Sequence, residues 1–359
     1  MRMIEKRKLA PRNAVLKSCA LLLSAAMMVS CGDRAASDSA ALPLVFDAGR
    51  ATVSKLPYII AYDQGLYEKY GLDVELRFRD SGSNDQSAIG LGFFTKMMRK
   101  FDISDSPDAD IIASGLGPAV VDSTLNALGK DHLVAMASTD CVVRAHIIGR
   151  EGITRLDQLK GGRIGVSSPG TTTDIVALML AERMGWDPVQ DISIMYNSNE
   201  LEALRHNAVD AIVGSERSYA GAKREGLPIL AATREWDEVL AGNSSRIQSG
   251  WLDDETNREA ARRFLKATIE GIAIFHQQPE IAFQVMEEWF GYRDIEFMRA
   301  VYAQGAWIPK TPYPCYDGLR RTAEFYDSAA MRRTTPEDFF DDSIMRELDQ
   351  SGFIDALYQ

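Results

Sequence analysis

Cysteine and histidine are scarce in this chain of 359 residues, with four of each. So few cysteines cannot form a disulfide scaffold. The histidines, His132, His146, His206 and His276, lack metal-ligand spacing, so no metal site is expected. Positive charge is also in deficit: 40 Lys and Arg stand against 51 Asp and Glu, a formal net charge of −11. Nucleic-acid binding by the whole chain is disfavoured, because phosphate neutralisation needs clustered bases. No GxxxxGK[ST] and no GxSxG occurs, and Ser114-Gly115-Leu116-Gly117 lacks the third glycine of a dinucleotide fingerprint. No nucleophile is spaced with a base, so catalytic residues and a cofactor are not expected. Long apolar runs are missing too. The run Cys19 to Val29 is about 11 residues, whereas a bilayer core takes about 20.

What remains is globular composition, 46% hydrophobic and 25% charged, at a length that suits two domains. The bases are uneven. Residues 1–30 hold Arg2, Lys6, Arg7, Lys8, Arg12 and Lys17 but only one acid, Glu5. A basic start followed by a short apolar run reads as a secretory signal. Met28-Val29-Ser30-Cys31-Gly32 resembles a bacterial lipobox, with Cys31 as the lipidated residue and Met28 where Leu is usual. The alternative is a plain signal with Cys31 a bystander. Residues 31–42 are small and polar, suited to a tether. Discarding the signal leaves 34 bases against 50 acids, near −16. In an oxidising compartment Cys141 and Cys315 either pair or stay as two buried thiols.

The mature chain alternates strand and helix. Strands are expected at 44–46, 72–78, 110–113, 133–136 and 142–148, with helices over 56–70 and 86–99. The pattern then restarts: strands at 163–166, 192–196, 211–214 and 228–231, helices at 175–184, 201–207 and 218–225. From about 253 the chain reads as helix: 256–276, 279–290, 293–303, 316–331 and 336–348. This is α/β grammar, with mostly parallel sheets flanked by helices. Acidic pairs such as Asp253-Asp254 lie on helices and read as solvated faces.

Open parallel sheets bind ligands beyond the carboxyl ends of their strands. Two strand-to-helix turns there are rich in small polar residues. One holds Ser114 and Gly115, before Pro118 in the first turn of a helix. The other holds Ser167, Ser168, Gly170, Thr171, Thr172 and Thr173. Amides and hydroxyls at a helix start suit an anion or polar group, although they also cap their own helix. Arg50, Thr52, Tyr196 and Arg217 follow other strands and are further candidates. Trp251 and Trp307 either wall a cleft or, as large aromatics more often do, pack in the core.

Three stretches carry a resemblance. Pro57 to Ala61 and Gly65 to Val74 are similar to P-x-x-x-A-x-x-x-G-x-[FY]-x-x-x-G-L-D-V. Leu156 to Val166 is similar to L-x-D-L-K-G-K-x-I-G-V, and Ala203 to Ala211 to A-L-x-x-G-x-V-D-A, with Asn207 where Gly is usual. The chain thus resembles the nitrate/sulfonate/taurine and thiamine-precursor substrate-binding proteins of ABC importers. The resemblance implies a two-lobed periplasmic binding protein fold of type II, with hinges near 141–149 and 228–236. It divides the chain into signal peptide 1–30, lipidated tether 31–42, first lobe 43–145, second lobe 146–232, and a mostly helical return to the first lobe over 233–359. It further implies a monomer on the periplasmic side of a bacterial membrane, held by lipid only. The implied partners are a small polar or anionic solute and ABC permease subunits. After V-D-A this chain has Ser215-Glu216-Arg217, where members of that family often have an apolar or proline-containing loop. The alternatives are an exported enzyme and a sensory or partner-binding module on the same fold.

Overall fold

The first strand, β1 (Leu42–Asp47), lies in register beside β2 (Leu72–Arg77), parallel to it. β2 shows why the local pattern works. Leu72, Val74 and Leu76 are buried while Asp73 and Glu75 are exposed, the two-residue period of a half-buried strand. This computed structural model describes residues 40–49, 52–78, 108–115, 133–142, 144–325 and 335–359. Among them, no helix is long and apolar enough to cross a membrane. Cys31 and the helix expected at 86–99 lie outside the described residues, as does the helix expected after Pro118.

Among the described residues, two five-stranded sheets organise the chain. The first runs β2-β1-β3-β10-β4, with β3 (Ile111–Gly115), β4 (Leu133–Ser138) and β10 (Asn243–Gln248). The second runs β7-β6-β8-β5-β9, with β5 (His146–Gly149), β6 (Arg163–Gly165), β7 (Ser193–Met195), β8 (Ala211–Gly214) and β9 (Ile229–Ala232). In each sheet a single strand, β10 or β5, runs antiparallel to both neighbours. These strands sit where the chain changes sheet. It crosses outward over residues 139–145 and returns over 233–242. The return falls later than the stretch expected to hold it, because 229–232 is the edge strand β9. The expected strand 142–148 is shorter for the same reason: Val142 forms only an isolated bridge to Val239, between the two crossings. Each sheet with its helices is a lobe.

Helices follow sequence signals with informative exceptions. The single helix expected over 56–70 is two: α1 (Leu56–Asp63), opened by Pro57, and α2 (Leu66–Lys69). Gly65 between them has φ 67°, which an α-helix cannot accommodate. In the second lobe come α3 (Thr172–Met184), α4 (Leu201–Arg205) and α5 (Glu216–Glu225). The first lobe is completed by α6 (Glu255–Gln277), α7 (Pro279–Phe290), α8 (Ile295–Gln304), α9 (Tyr316–Glu324), α10 (Ser343–Gln350) and α11 (Phe353–Ala356). The helix expected over 336–348 starts late. Pro336–Phe339 is a 3-10 turn, and Phe340 then extends to pair with Ala135 and bury its ring. The first-lobe core centres on Phe46, whose ring packs 5.2 Å from Tyr58 and 4.8 Å from Phe264 of α6.

β10 had no signal of its own. Its sequence is Asn-Ser-Ser-Arg-Ile-Gln, yet five of its six residues are buried. Burial of such groups costs several kcal/mol unless they are hydrogen-bonded. Here Ser244 meets Ser138 at 2.7 Å, Ser245 meets the Tyr58 hydroxyl at 2.9 Å, and Arg246 donates to Ser114 Oγ. Two further positions explain the sequence stretches. Asn207 has φ 53°, a left-handed conformation in which Gly or Asn is tolerated. A Cβ on Gly165 would come within 1.9 Å of the Ser198 carbonyl oxygen, so only glycine fits there. Asp210 next to Val209 accepts from the Arg163 amide at 2.9 Å and from Arg150 Nε at 3.0 Å, tying β8 to β6 and β5.

Cys141 and Cys315 are joined by a disulfide, Cα to Cα 5.5 Å. It fastens the outward crossing to the residue that precedes α9. Behind β5, His146 is buried and stacks on Tyr219 of α5, ring centroids 4.2 Å apart. Burial, with Arg234 adding to it, lowers its pKa from 6.5 to about 4.

Three outcomes follow from this fold. Asn207→Gly leaves stability nearly unchanged, whereas Asn207→Val lowers it by about 1–2 kcal/mol, read by denaturant unfolding. Reduction, or the double change Cys141→Ser and Cys315→Ser, costs about 2–5 kcal/mol; a melting curve indifferent to reductant contradicts this. The unfolded chain protonates His146 below about 6.5 while the folded chain resists until about 4, so stability falls as pH drops through that window. The loss approaches about 3 kcal/mol, and His146→Phe flattens that part of the pH–stability curve.

Candidate functional site

A cavity of about 550 Å³ opens where the carboxyl ends of strands from both sheets meet the two crossings. From the first lobe come Gly49 and Thr52 after β1, Ser54 and Lys55 in the 3-10 turn Val53–Lys55, and the β3 end, Ala113 to Gly115. The crossings supply Asp140, Val142, Arg144 and Ala145 on one side, and Leu240, Gly242 and Asn243 on the other. The second lobe supplies Thr171, Thr172 and Thr173 at the start of α3, and Gly214, Ser215 and Glu216 at the start of α5.

The three threonines divide their work. Ser167 Oγ lies 2.8 Å from Thr171 Oγ1 and 2.7 Å from Thr173 Oγ1, and Thr171 donates to the Ser168 carbonyl at 2.7 Å. Thr171 and Thr173 therefore fasten the turn. Thr172 Oγ1 instead faces the first lobe, 3.9 Å from where a Cβ on Gly115 would stand. The first helical bond of α3 runs from the Ile175 amide to the Thr171 carbonyl at 3.0 Å. The amides of Thr172, Thr173 and Asp174 thus lack intrahelical acceptors, and the helix dipole adds positive potential there.

Charges in the wall are matched. Lys55 is buried and donates from Nζ to the Ala113 carbonyl. Arg144 grips Asp140 with two bonds, Nη2 to Oδ2 at 2.7 Å and Nε to Oδ1 at 3.1 Å, and donates to the Gln304 carbonyl at 3.0 Å. Burial opposes the guanidinium charge, but the Asp140 carboxylate prevails and holds its pKa above the usual arginine value. Glu216 Oε1 accepts from the Val53 amide at 2.7 Å. Two cations thus face two carboxylates, and fixed amides and hydroxyls supply the remaining polarity. Among the described residues no group of three or more His, Cys, Asp or Glu is arranged to hold a metal.

Of the positions singled out in the sequence, Thr52, Ser114, Gly115, Thr171, Thr172 and Thr173 line this cavity. Ser167, Ser168 and Gly170 do not; they build the turn, with the Gly170 amide donating to Asp174 Oδ2 at 2.8 Å. Tyr196 is 43% exposed and does not line the cavity. Arg217 pairs with Glu200 at 3.1 Å, outside the lining. Arg50 lies outside the described residues. Trp251 packs against the first-lobe core and Trp307 is 52% exposed, so neither walls the cleft. Lys55, Asp140, Arg144, Glu216 and Asn243 were missed. The Asp140–Arg144 spacing was visible, but no local pattern marked those residues as a crossing.

Comparison with known proteins supplies the relatives. Residues 145–282 match the family described as NMT1/THI5 like. A protein of Brucella abortus (strain 2308), named only as a binding protein, is 32% identical over 219 residues, 59% of this chain and 60% of that one. The match therefore spans less than two thirds of that relative's length. Among solved structures, the periplasmic nitrate-binding protein NrtA from Synechocystis PCC 6803 gives a TM-score of 0.63 at 16% identity, covering 87% of this chain and 89% of that chain. The alkanesulfonate-binding protein SsuA from Xanthomonas axonopodis pv. citri, bound to MOPS, gives 0.61 at 14% identity, covering 84% and 99%. The desulfurization enzyme DSZB shares the fold as well, at 0.57 and 15% identity, covering 86% and 99%. Identities this low carry the fold alone, and fold by itself does not decide between capture and turnover. Residues 145–282 are thus similar to the NMT1/THI5-like family, and the chain has the two-lobed periplasmic binding protein fold of these solved structures.

Proposed function

We propose that this protein is an extracytoplasmic solute-binding lipoprotein. It captures a small polar or anionic organic solute between its lobes and hands it to the permease of an ABC importer. The carrying observation is the cavity itself. It is built jointly by both lobes and by the two crossings about which such lobes move. Its volume of about 550 Å³ lies within the range of small-molecule sites, about 300–1,000 Å³. The open amides at the start of α3 and the Thr172 hydroxyl favour an acidic or strongly polar group on the solute. The matched charges of Lys55, Arg144, Asp140 and Glu216 leave room for a solute that also carries hydrogen-bond donors. The basic, apolar start of the chain and the lipobox-like Met28 to Gly32 support export and a lipid anchor at Cys31, which keeps the protein near its permease. The protein acts as a monomer in this reading.

The enzyme reading has one favouring observation, the shared fold of DSZB. Against it stands the lining. Asp140 and Arg144, which line the cavity, are engaged with each other.

The test is thermal stabilisation of the purified protein by nitrate, alkanesulfonates, taurine, pyrimidines and amino acids. A true solute at a hundredfold excess over its Kd stabilises by about 2.7 kcal/mol, and it is recovered chemically unchanged after incubation. Thr172→Val lowers the affinity several-fold. A flat response across the panel sinks the reading, and conversion of a bound compound moves it to the enzyme.

A further inference from the structure

The stretch Ser215-Glu216-Arg217, where the sequence departs from the expected loop, reaches from the second lobe to the first. The 3-10 turn Val53–Lys55 belongs to the first lobe and has no cap of its own: Thr52 Oγ1 is engaged with Ser54 Oγ at 2.9 Å. Its leading amide, Val53 N, points across the cleft and donates to Glu216 Oε1 at 2.7 Å. Glu216 is the first residue of α5, in the second lobe. One lobe therefore caps a turn of the other. Arg217, the next residue, pairs with Glu200 of the second lobe at 3.1 Å. Further along α5, Arg224 lies over the Phe297 ring of the first-lobe helix α8, 5.9 Å from its centroid, and Ala220 is buried in the first-lobe core, so the same helix packs on the opposite lobe along its length.

We infer that Glu216 is the positioning residue that latches the two lobes in the closed arrangement, by supplying the cap that the Val53–Lys55 turn lacks. The inference rests on the solute-binding reading for its purpose but not for its geometry. When the lobes part, Val53 N–H loses a charged acceptor and is left to water. The latch therefore acts on how long the closed form lasts, and so on solute release more than on capture.

Two variants separate the possibilities. Glu216→Ala removes the acceptor. Glu216→Gln removes the charge but keeps a side-chain oxygen for the Val53 amide. In solute-free protein, Glu216→Ala accelerates hydrogen exchange at the Val53 amide about tenfold or more and shifts small-angle scattering towards a larger radius, while Glu216→Gln stays near wild type on both. Unchanged Val53 exchange in Glu216→Ala overturns the inference, because the contact is then absent in solution. Faster exchange with unaltered scattering overturns it too, because the contact then holds nothing closed. Both readouts are taken without solute, so an empty solute panel counts against the function and leaves the latch to be judged on its own. If Glu216→Gln behaves like Glu216→Ala, the carboxylate's charge is what matters and the capping role falls.

Discussion

The strand Asn243–Gln248 is the constraint on which the architecture depends. It inserts antiparallel between β3 and β4, so the first sheet is not whole until the chain has built the second lobe and returned. Its side chains are those of a surface loop, yet they are buried, and each serine and the arginine meets a hydroxyl group placed by another strand or helix. Slip the strand by one residue and every one of those partners is lost, so the hydrogen bonds fix its register where hydrophobic alternation does not. The same strand begins at Asn243, which lines the cavity and donates from Nδ2 to Thr139 at 2.7 Å on the other crossing. Register in the sheet and shape of the site are therefore set together.

The cavity follows an electrostatic logic that differs from a simple anion trap. Backbone amides at the start of α3 are fixed donors that need no side-chain ordering. The side-chain charges close to them are already spoken for: Arg144 by Asp140, Lys55 by a carbonyl, and Glu216 by an amide of the opposite lobe. A solute entering such a site meets dipoles and hydroxyls first and balanced charges second. Discrimination then comes from geometry more than from net attraction, which suits a protein whose overall charge is −11.

How much of this was legible in the sequence depended on whether the signal was local. β2 announces itself because every second residue is apolar. Gly65, Asn207 and Gly165 sit in turns or close approaches whose demands one residue type meets, so the stretches containing them were recognisable at a distance. β10 was invisible because its stability comes from partners more than 100 residues away, Ser114, Ser138 and Tyr58. The site divided the same way. Turns at strand ends pointed to Ser114 and to the threonines, although the composition of Ser167–Thr173 could not say that Thr171 and Thr173 are used by the turn itself. Asp140, Arg144 and Asn243 came from the crossings, which no periodicity marks. Arg217 looked available in the sequence because Glu200, its partner in space, lies 17 residues away.

The bond between Cys141 and Cys315 spans 174 positions, and the strands of the second sheet all fall inside that span. Topologically the bond closes a covalent ring that holds the whole second lobe together with β10 and α6 to α8 of the first. A protease that nicks any exposed loop of that ring breaks the backbone once without separating the molecule into pieces. The two segments stay joined through Cys141 on the outward crossing and Cys315 before α9. In a compartment where proteins meet proteases without energy-driven refolding, the bond makes a single cut survivable.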